Sequence, residues 1–306
     1  MNYVYAKLSD KDFQIFRLGG AGLGNILFTY ARTVVFASKN KDVEVIWPTW
    51  RSIKVGPILR GEKDKRFYFD LFKNHSGYID GIEKARLLMS KPKIKEQDAL
   101  NNLDFDDAVI EFKGFDGCFE PIMHDSKIVY DDIIKNLNKK NLKALDFNAD
   151  DAICMHVRLG DFTRVTYEEV LKGVHDASIP IGWYVQMGKE IRRIAGRPVK
   201  IYVFSDGTDE ELKPLLEMEN VERITFGTSI ADIIALSKAK IFVASGSSFS
   251  MWARYLGRMT TIMFPNQVKQ AILQDYDEGE EIVALEKIPE ECEQYILRIL
   301  ENPVID

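Results

Sequence analysis

The sequence has 306 residues, of which 46% are hydrophobic and 29% are charged, and its formal net charge is -6 with a pI near 5.5. This length suits two domains of ordinary size. The negative charge leaves no excess of cations to neutralise a nucleic-acid backbone or an anionic bilayer. We therefore expect a globular protein of two domains that does not bind nucleic acid.

The cysteines and the apolar runs indicate the compartment. Cys118, Cys154 and Cys292 lie far apart without CxxC spacing, which argues against a disulfide framework and a structural zinc site. Residues 1–12 lack a basic stretch followed by an apolar run, and no segment approaches the roughly 18 to 20 apolar residues that a membrane span requires. We expect a cytoplasmic protein without a transmembrane segment, for which peripheral membrane contact stays open.

The N-terminal half begins with a strand, a glycine-rich loop and a helix. A strand-like run at residues 13–18 leads into GGAGLGN at 19–25, and the apolar residues at 26–39 predict a helix. This loop is similar to the phosphate loops of dinucleotide-binding proteins, but Asn25 stands where GxGxxG requires glycine. The next strand, at 43–47, does not end in a ribose-binding acid. The pattern therefore disfavours a dehydrogenase.

The C-terminal half alternates short apolar strands with amphipathic helices. Strands are expected at residues 152–157, 200–204, 221–226, 241–244 and 260–264, and helices at 183–195, 209–218, 230–238, 249–256 and 289–301. Parallel strands need a crossover of helix length, so the alternation predicts a parallel sheet covered on both faces. We place an N-terminal domain at 1–148 and a Rossmann-like nucleotide-binding domain at 149–306. The last helix is a candidate to pack back on the N-terminal domain.

The first strand of the C-terminal half is followed by HVRLGD at residues 156–161. Ligands of open α/β sheets bind beyond the carboxyl ends of the strands, which makes these residues candidates for a site. Strand alternation points His156 and Arg158 to the same side, and Gly160 permits a tight turn. An arginine here can hold a diphosphate through two parallel charge-assisted hydrogen bonds. The alternative is a surface ion pair between Arg158 and Asp161.

Two further polar groups flank predicted helices. SGSSFS at residues 245–250 precedes the helix at 249–256, where free backbone N–H groups and the helix dipole attract phosphate. Ser248 is the candidate to add a hydroxyl bond, and the alternative is that one of the serines only caps the helix. Asp232 is a candidate to accept bonds from a ribose or a purine edge. Its alternative is a capping box with Ser229.

No metal site is predicted. The acidic triplets DFD at 104–106 and DYD at 275–277 resemble the DxD signature with which one large class of glycosyltransferases binds a metal ion. Neither triplet closes an apolar strand, so we interpret both as solvated. His75, His124 and His175 are isolated, without a partner at metal-ligand spacing.

Three motifs, in the order in which the family has them, resemble those of glycosyltransferase family 11, the α-1,2-fucosyltransferases. The resemblance extends more distantly to the α-1,6- and protein O-fucosyltransferases. GAGLGNILF at residues 20–28 is similar to the family's GGLGNQLF, HVRLGD to HxRRGD, and SSFSMW at 247–252 to SSFSWW. FSD at 204–206 and the Asp232 helix also fall at family-like places. The resemblance implies a GT-B fold with two Rossmann-like domains facing a cleft. It also implies inverting, metal-independent transfer of fucose from GDP-fucose to a sugar hydroxyl in bacterial-type glycan synthesis.

The resemblance also implies roles for single residues. Arg158 would hold the donor diphosphate, Ser248 the β-phosphate, and His156 and Asp232 the nucleoside end. The general base is first sought at Asp161 and then at Glu168. The candidates are Arg158, Asp161 and Asn25 for catalysis; Gly22, Gly24, Asn25, His156, Arg158, Asp232, Ser247, Ser248 and Phe249 for donor binding; and Arg51 and Arg60 for acceptor binding.

The sequence departs from the family motifs at three positions. Leu159 replaces the second arginine of HxRRGD, Ile26 replaces glutamine, and Met251 replaces tryptophan. Two alternatives therefore stay open beside GDP-fucose transfer. The same fold would use another nucleotide-sugar donor, or the chain would be a catalytically inactive nucleotide-sugar-binding partner. In each case the expected ligand is a nucleotide sugar. The two possibilities in which the chain is an enzyme also require a glycan acceptor.

Overall fold

The computed structural model describes residues 1–54, 59, 67–101, 106–174, 176–267, 270–274, 277 and 279–301. The chain divides into two compact units, Met1–Leu142 and Lys143–Asp306. The division lies a little N-terminal to the expected boundary, within a 3₁₀ helix at Lys139–Asp146. Each unit is an α/β structure with a parallel sheet.

The elements are named in chain order. The strands are β1 (Asn2–Ala6), β2 (Lys11–Asp12), β3 (Arg17–Leu18), β4 (Val43–Ile46), β5 (Ser52–Ile53), β6 (Lys93–Lys95), β7 (Val109–Phe112), β8 (Ala152–Val157), β9 (Thr163–Arg164), β10 (Ala177–Ser178), β11 (Lys200–Ser205), β12 (Val221–Arg223), β13 (Ile241–Val243), β14 (Thr260–Met263) and β15 (Glu281–Val283). The helices are α1 (Leu23–Lys39), α2 (Gly81–Ser90), α3 (Glu96–Asn101), α4 (Ser126–Lys135), α5 (Tyr167–Leu171), α6 (Ile181–Ala195), α7 (Asp209–Leu216), α8 (Ser229–Leu236), α9 (Ser248–Gly257) and α10 (Glu290–Glu301).

The N-terminal unit is built on a sheet of four parallel strands in the order β4-β1-β7-β6. Helix α1 is apolar enough to bury nearly all of its first fourteen residues, and Phe36 packs with Val4 and Phe112 in the core. Strand β1 was not predicted from the sequence, although β1 is an inner strand of this sheet. Its five residues mix tyrosines with a polar start, so the segment lacks the uniform apolar run of a buried strand.

Strands β2 and β3 precede the glycine loop and form a small three-stranded sheet, β2-β3-β5, with β5, which follows the loop. The single strand expected at residues 13–18 is wrong, because the chain turns there and β2 pairs antiparallel with β3. Gln14 takes a left-handed conformation at the turn, with φ of 69°. The apolar side chains of Phe13 and Ile15 are exposed at this turn, so the run is not a core strand.

The C-terminal unit contains six parallel strands in the order β12-β11-β8-β13-β14-β15. Numbered within this unit, the order is 3-2-1-4-5-6, as in dinucleotide-binding Rossmann folds. Every residue of β8 is buried, as expected of a strand with helices on both faces. The five strands and five helices expected here are confirmed with shifted ends. The last helix, α10, buries Ile296 and Leu300 in the core of this unit.

Truncating the centre of this sheet tests the core. Ile153 lies in β8 and is fully buried, so Ile153→Ala leaves a cavity. We expect the free energy of unfolding of the C-terminal unit to fall by about 2 to 5 kcal/mol in urea denaturation followed by circular dichroism. Ile82→Ala is the matched control, because Ile82 is 90% exposed on α2. Equal losses in the two variants would contradict this view of the core.

Candidate functional site

Two sequence motifs meet where the strand order of the C-terminal sheet reverses. Strands β8 and β13 are neighbours, with Met155 opposite Val243, and the chain leaves them toward opposite sides of the sheet. A crevice at the carboxyl ends of the strands is expected at such a reversal, and it is where ligands bind in this architecture. HVRLGD begins with the last two residues of β8 and SGSSFS follows β13, so both lie at this edge.

A hydrogen-bonded cluster of serines surrounds His156. The Nδ1 atom of His156 lies 2.8 Å from the hydroxyl of Ser250 and 3.0 Å from that of Ser245. The hydroxyl of Ser245 also lies 2.9 Å from that of Ser247. Ser247 caps α9 by accepting the backbone N–H of Ser250, so the capping interpretation is correct for this serine. Ser248 takes no part in the cluster and is half-buried in the first turn.

The environment keeps His156 neutral. Burial lowers the pKa of the imidazole to about 3, with nearby Asp206 raising it and Arg158 lowering it further. The ring stacks on Phe249, with 4.5 Å between ring centroids and an interplanar angle of 22°. A neutral, stacked imidazole exchanges hydrogen bonds with polar groups and does not act as a cation toward phosphate.

Arg158 is fixed between two carboxylates. Its guanidinium forms ion pairs with Asp161 and Asp206 and lies 5.3 Å from the ring centroid of Phe162. The ion pair with Asp161 that the sequence left as an alternative therefore exists. It does not exclude ligand binding, because the side chain stays 21% exposed and a guanidinium has more N–H donors than two such bonds use.

Asp206 holds the loop that carries Arg158. One carboxylate oxygen accepts the backbone N–H groups of Leu159 at 2.8 Å and Gly160 at 3.1 Å, while the other faces Arg158. A Cβ on residue 160 would lie 2.2 Å from that second oxygen, so any other residue here would displace the Asp206 carboxylate. Sequence reasoning did not give Asp206 a role. Its position directly after β11, the neighbour of β8, is the available clue.

Asp232 is a half-buried carboxylate on α8. It accepts the backbone N–H of Phe226 at 2.6 Å and the hydroxyl of Thr225 at 3.0 Å. Burial raises its pKa to about 6, and these hydrogen bonds oppose the shift. The capping box with Ser229 is wrong, because Thr228 is the N-cap and accepts the N–H of Ala231. Asp232 instead fixes the loop that follows β12.

The remaining candidates lie in the N-terminal unit. Gly22 is the N-cap of α1, and Gly24 and Asn25 lie in its first turn, where Asn25 is half-buried. Arg51 is exposed immediately before β5. The structure thus groups His156, Arg158, Asp161, Asp232 and the serines in one unit and these residues in the other. Arg60 lies outside the described residues.

The acidic triplets were expected to be solvated. Asp104 and Asp275 lie outside the described residues, and so does His175. Asp106 pairs with the N-terminal amine, whereas Asp277 pairs with Arg258 through a 3.0 Å bond to Nε. Asp277 is thus largely covered, contrary to a solvated position. In the described part of the chain, no three His, Cys, Asp or Glu side chains are grouped as metal ligands would be.

Comparison with known proteins identifies the family. Residues 119–281, more than half of the chain, match Glycosyl transferase family 11. The chain belongs to glycosyl transferase family 11. The resemblance found in the motifs is therefore confirmed, and the protein is a glycosyltransferase. The matched range contains both motifs of the sheet edge but begins after the glycine loop.

The fold of this family 11 glycosyltransferase is similar to that of a solved fucosyltransferase structure. The chain resembles a mutant of Arabidopsis thaliana FUT1 in complex with GDP, with a TM-score of 0.51, 12% identity, and coverage of 88% of this chain and 72% of that one. It also resembles the α-1,6-fucosyltransferase NodZ co-crystallised with GDP, with a TM-score of 0.49, 15% identity, and coverage of 86% and 95%. No curated protein matches the sequence. The first likeness supports the expected GT-B fold.

None of the helices formed by the described residues combines the length and the apolar character that crossing a bilayer requires.

The neutral state of His156 predicts how stability of this glycosyltransferase depends on pH. The folded pKa of about 3 lies below the unfolded value of about 6.5, so the unfolded chain binds the additional proton as pH falls between them. From pH 7.5 to pH 5, this group should lower the free energy of unfolding by about 2 kcal/mol. Chemical denaturation at both pH values would show a smaller drop for His156→Gln. Parallel pH dependences in the two proteins would contradict a neutral, buried imidazole.

Proposed function

We propose that this enzyme transfers fucose from GDP-fucose to a sugar hydroxyl, with inversion at the anomeric carbon and without a metal ion. The observation that carries the proposal is Arg158, held in a fixed orientation at the strand-order reversal by Asp161 and Asp206. Such a guanidinium is ready to receive a diphosphate without further ordering. Family membership supports glycosyl transfer, and the family motifs support fucose as the sugar.

The donor is proposed to lie along the carboxyl edge of the C-terminal sheet. Its diphosphate faces Arg158, Ser248 and the N-terminus of α9, where backbone N–H groups and the helix dipole favour an anion. The nucleoside end faces His156, Phe249 and Asp232. A neutral imidazole and a carboxyl group suit the hydrogen-bonding edges of a purine or a ribose, which carry no charge.

The proposed reaction breaks the bond between the anomeric carbon and the diphosphate oxygen while the acceptor hydroxyl attacks from the opposite face. Negative charge builds on the departing diphosphate, where Arg158 and the amides of α9 stabilise it. One such preorganised donor contributes roughly 3 to 4 kcal/mol.

The general base that takes the acceptor proton is proposed to be Asp161. The second candidate for this role is Glu168, which lies exposed in the first turn of α5. In the absence of ligand Asp161 is paired with Arg158, and an arginine partner weakens a carboxylate as a base. A diphosphate that takes over the guanidinium would release Asp161 from this pair. Donor binding would then also prepare the base.

The acceptor is proposed to bind the N-terminal domain, residues 1–148, and the donor the domain at 149–306. Asn25 and the glycines at 22 and 24 would face the transferred sugar, and Arg51 and Arg60 would contact the acceptor. An α-1,2 linkage and a role in bacterial-type glycan synthesis complete the proposal, and these rest on the family motifs alone.

One observation favours a second candidate, a different nucleotide-sugar donor. Leu159 replaces the second arginine of the family motif, and its side chain is buried in the C-terminal core. A Cβ on Gly207 would lie 2.4 Å from Leu159 Cδ1, which shows how closely the loop packs on this side chain. No charge is therefore available at position 159 to contact a donor.

A donor screen by thermal shift distinguishes these candidates. A ligand at 100 times its dissociation constant adds about 2.7 kcal/mol to the free energy of unfolding. We expect GDP and GDP-fucose to raise the melting temperature equally in EDTA and in magnesium, and UDP-sugars to raise it less. Stabilisation that requires a divalent ion would argue against a metal-independent site, and a stronger response to another nucleotide sugar would favour the second candidate.

Arg158→Lys tests the proposed contact with the diphosphate. Lysine keeps the charge but loses the planar fork, and the lost bonds are strongest in the transition state. We expect the transfer rate kcat to fall by about a hundredfold or more, with a smaller loss of GDP affinity. Steady-state assays are run beside Asp161→Asn, with folding checked by circular dichroism.

Arg197→Lys is the matched control. Arg197 forms a comparable surface pair with Asp151, but this pair lies at the opposite, amino-terminal edge of the same sheet. The control should keep nearly full activity. Near wild-type turnover in a folded Arg158→Lys enzyme would remove Arg158 from the reaction.

A further inference from the structure

An arginine in the N-terminal unit is buried without an ion pair to any described residue, although the charge of Asp12, opposite it on β2, raises the pKa of its guanidinium against the larger lowering by burial. Arg17 is 0% exposed, and its guanidinium donates from Nε to the carbonyl of Thr49 at 3.1 Å and from Nη1 to the carbonyl of Gly19 at 2.7 Å. Its Nη2 atom is buried and has no hydrogen-bond partner. Across the described residues, no carboxylate forms an ion pair with Arg17.

Such an arrangement is costly for the folded protein. A buried charge without an ionic partner loses its hydration, and here burial lowers the pKa of the guanidinium. The same unit gives another buried arginine a carboxylate partner: Arg32 makes bonds of 2.6 and 3.0 Å to the two carboxylate oxygens of Glu96, although its Nη1 atom, like Nη2 of Arg17, has no hydrogen-bond partner. The unpaired state of Arg17 therefore needs an explanation other than stability.

Arg17 lies directly beneath the glycine loop. A Cβ on Gly20 would lie 2.5 Å from Arg17 Nη1 and 2.8 Å from the carbonyl oxygen of Leu8, and Gly20 has φ of 86°. Only glycine permits this contact, so the loop is folded closely over the guanidinium. Lys54 donates to the carbonyl of Ala21 at 2.5 Å, and both cations face the ring of Tyr68.

These contacts set the direction of the loop's peptide groups. The carbonyls of Gly19 and Ala21 are turned toward the two cations. In a trans peptide the N–H of the next residue points the opposite way, so the N–H groups of Gly20 and Gly22 face away from the cations. The N-terminus of α1 follows at once and adds its own positive potential. The loop thus presents N–H donors above a buried positive charge.

We propose that Arg17 is a positioning residue of the glycine loop, and that a phosphate group of a ligand bound at this loop supplies the ionic partner that Arg17 lacks. Arg17 acts through the loop: it holds the carbonyl of Gly19, orients the following N–H group, and makes the loop attractive to an anion. This inference rests on the proposed function, because that function supplies the diphosphate.

Arg17→Met separates this role from a structural one. Methionine fills a similar volume without charge, and replacing a buried unpaired charge by an apolar side chain is neutral or stabilising. We expect the melting temperature of the ligand-free variant to equal or exceed that of wild type. The stabilisation by GDP and by inorganic pyrophosphate should shrink, and kcat should fall about tenfold. Arg17→Lys, which keeps a charge, should recover part of the loss.

Arg32→Met is the matched control. It removes a buried arginine of the same unit that is paired with Glu96, so its melting temperature should fall while kcat of the folded protein changes little. If Arg17→Met melts lower by a similar amount or does not fold, Arg17 is structural and the proposal is overturned. Unchanged kcat and unchanged ligand stabilisation in Arg17→Met would also overturn it.

The two proposals fail differently. If wild type is not stabilised by GDP and does not use GDP-fucose, the proposed donor is wrong. Pyrophosphate then still decides the role of Arg17, since it carries the diphosphate without the nucleoside. Stabilisation of wild type by pyrophosphate that is reduced in Arg17→Met supports the role, whereas an absent response in wild type or an equal response in both proteins overturns it.

Discussion

The geometry of parallel strand pairing is the constraint on which this enzyme's candidate site depends. Consecutive parallel strands need a crossover that covers one face of the sheet, and a sheet covered on both faces must reverse its strand order once. The reversal lies between β8 and β13. Because each chain segment leaves its strand at the same edge, HVRLGD and SGSSFS become neighbours although a large part of the domain separates them in sequence.

Burial at this edge then determines which groups carry charge. His156 stays neutral because its ring is enclosed by the serines and Phe249, and partial burial raises the pKa of Asp232 to about 6. Arg158 lies beside two carboxylates at a position that solvent still reaches. The edge therefore offers neutral polar groups in one part and charged groups in another. A nucleoside diphosphate likewise consists of an uncharged nucleoside and a charged diphosphate.

The sequence allowed prediction of the C-terminal unit better than of the N-terminal one, for a physical reason. Strands buried on both faces are short apolar runs, so 152–157 was found with both ends correct. β1 has tyrosines and a polar start, and it was missed. The run at 13–18 is apolar but forms an exposed turn, since Gln14 adopts a left-handed conformation that composition does not reveal.

The site was predictable in its motifs but not in its connections. Arg158 and the serines stood out because they follow apolar runs. Asp206 did not, because its role comes from contacts with Leu159 and Gly160 on the neighbouring strand's loop. Likewise, spacing placed the cap of α8 at Ser229 rather than Thr228. Arg17 gave no sequence clue at all, since only the three-dimensional structure shows that it is buried without a carboxylate.

The charges around Arg158 and around Arg17 are unbalanced in opposite directions. Arg158, Asp161 and Asp206 together carry one positive and two negative charges, so an anion that binds Arg158 also meets the field of two carboxylates. Leu159 is buried and adds no charge where the family motif has a second arginine. The amides at the start of α9 supply part of the missing positive potential. The other unit holds the opposite imbalance, because Arg17 is buried beneath the glycine loop without an ionic partner among the described residues. An anion bound beside either group would therefore meet a different balance of charge in each unit.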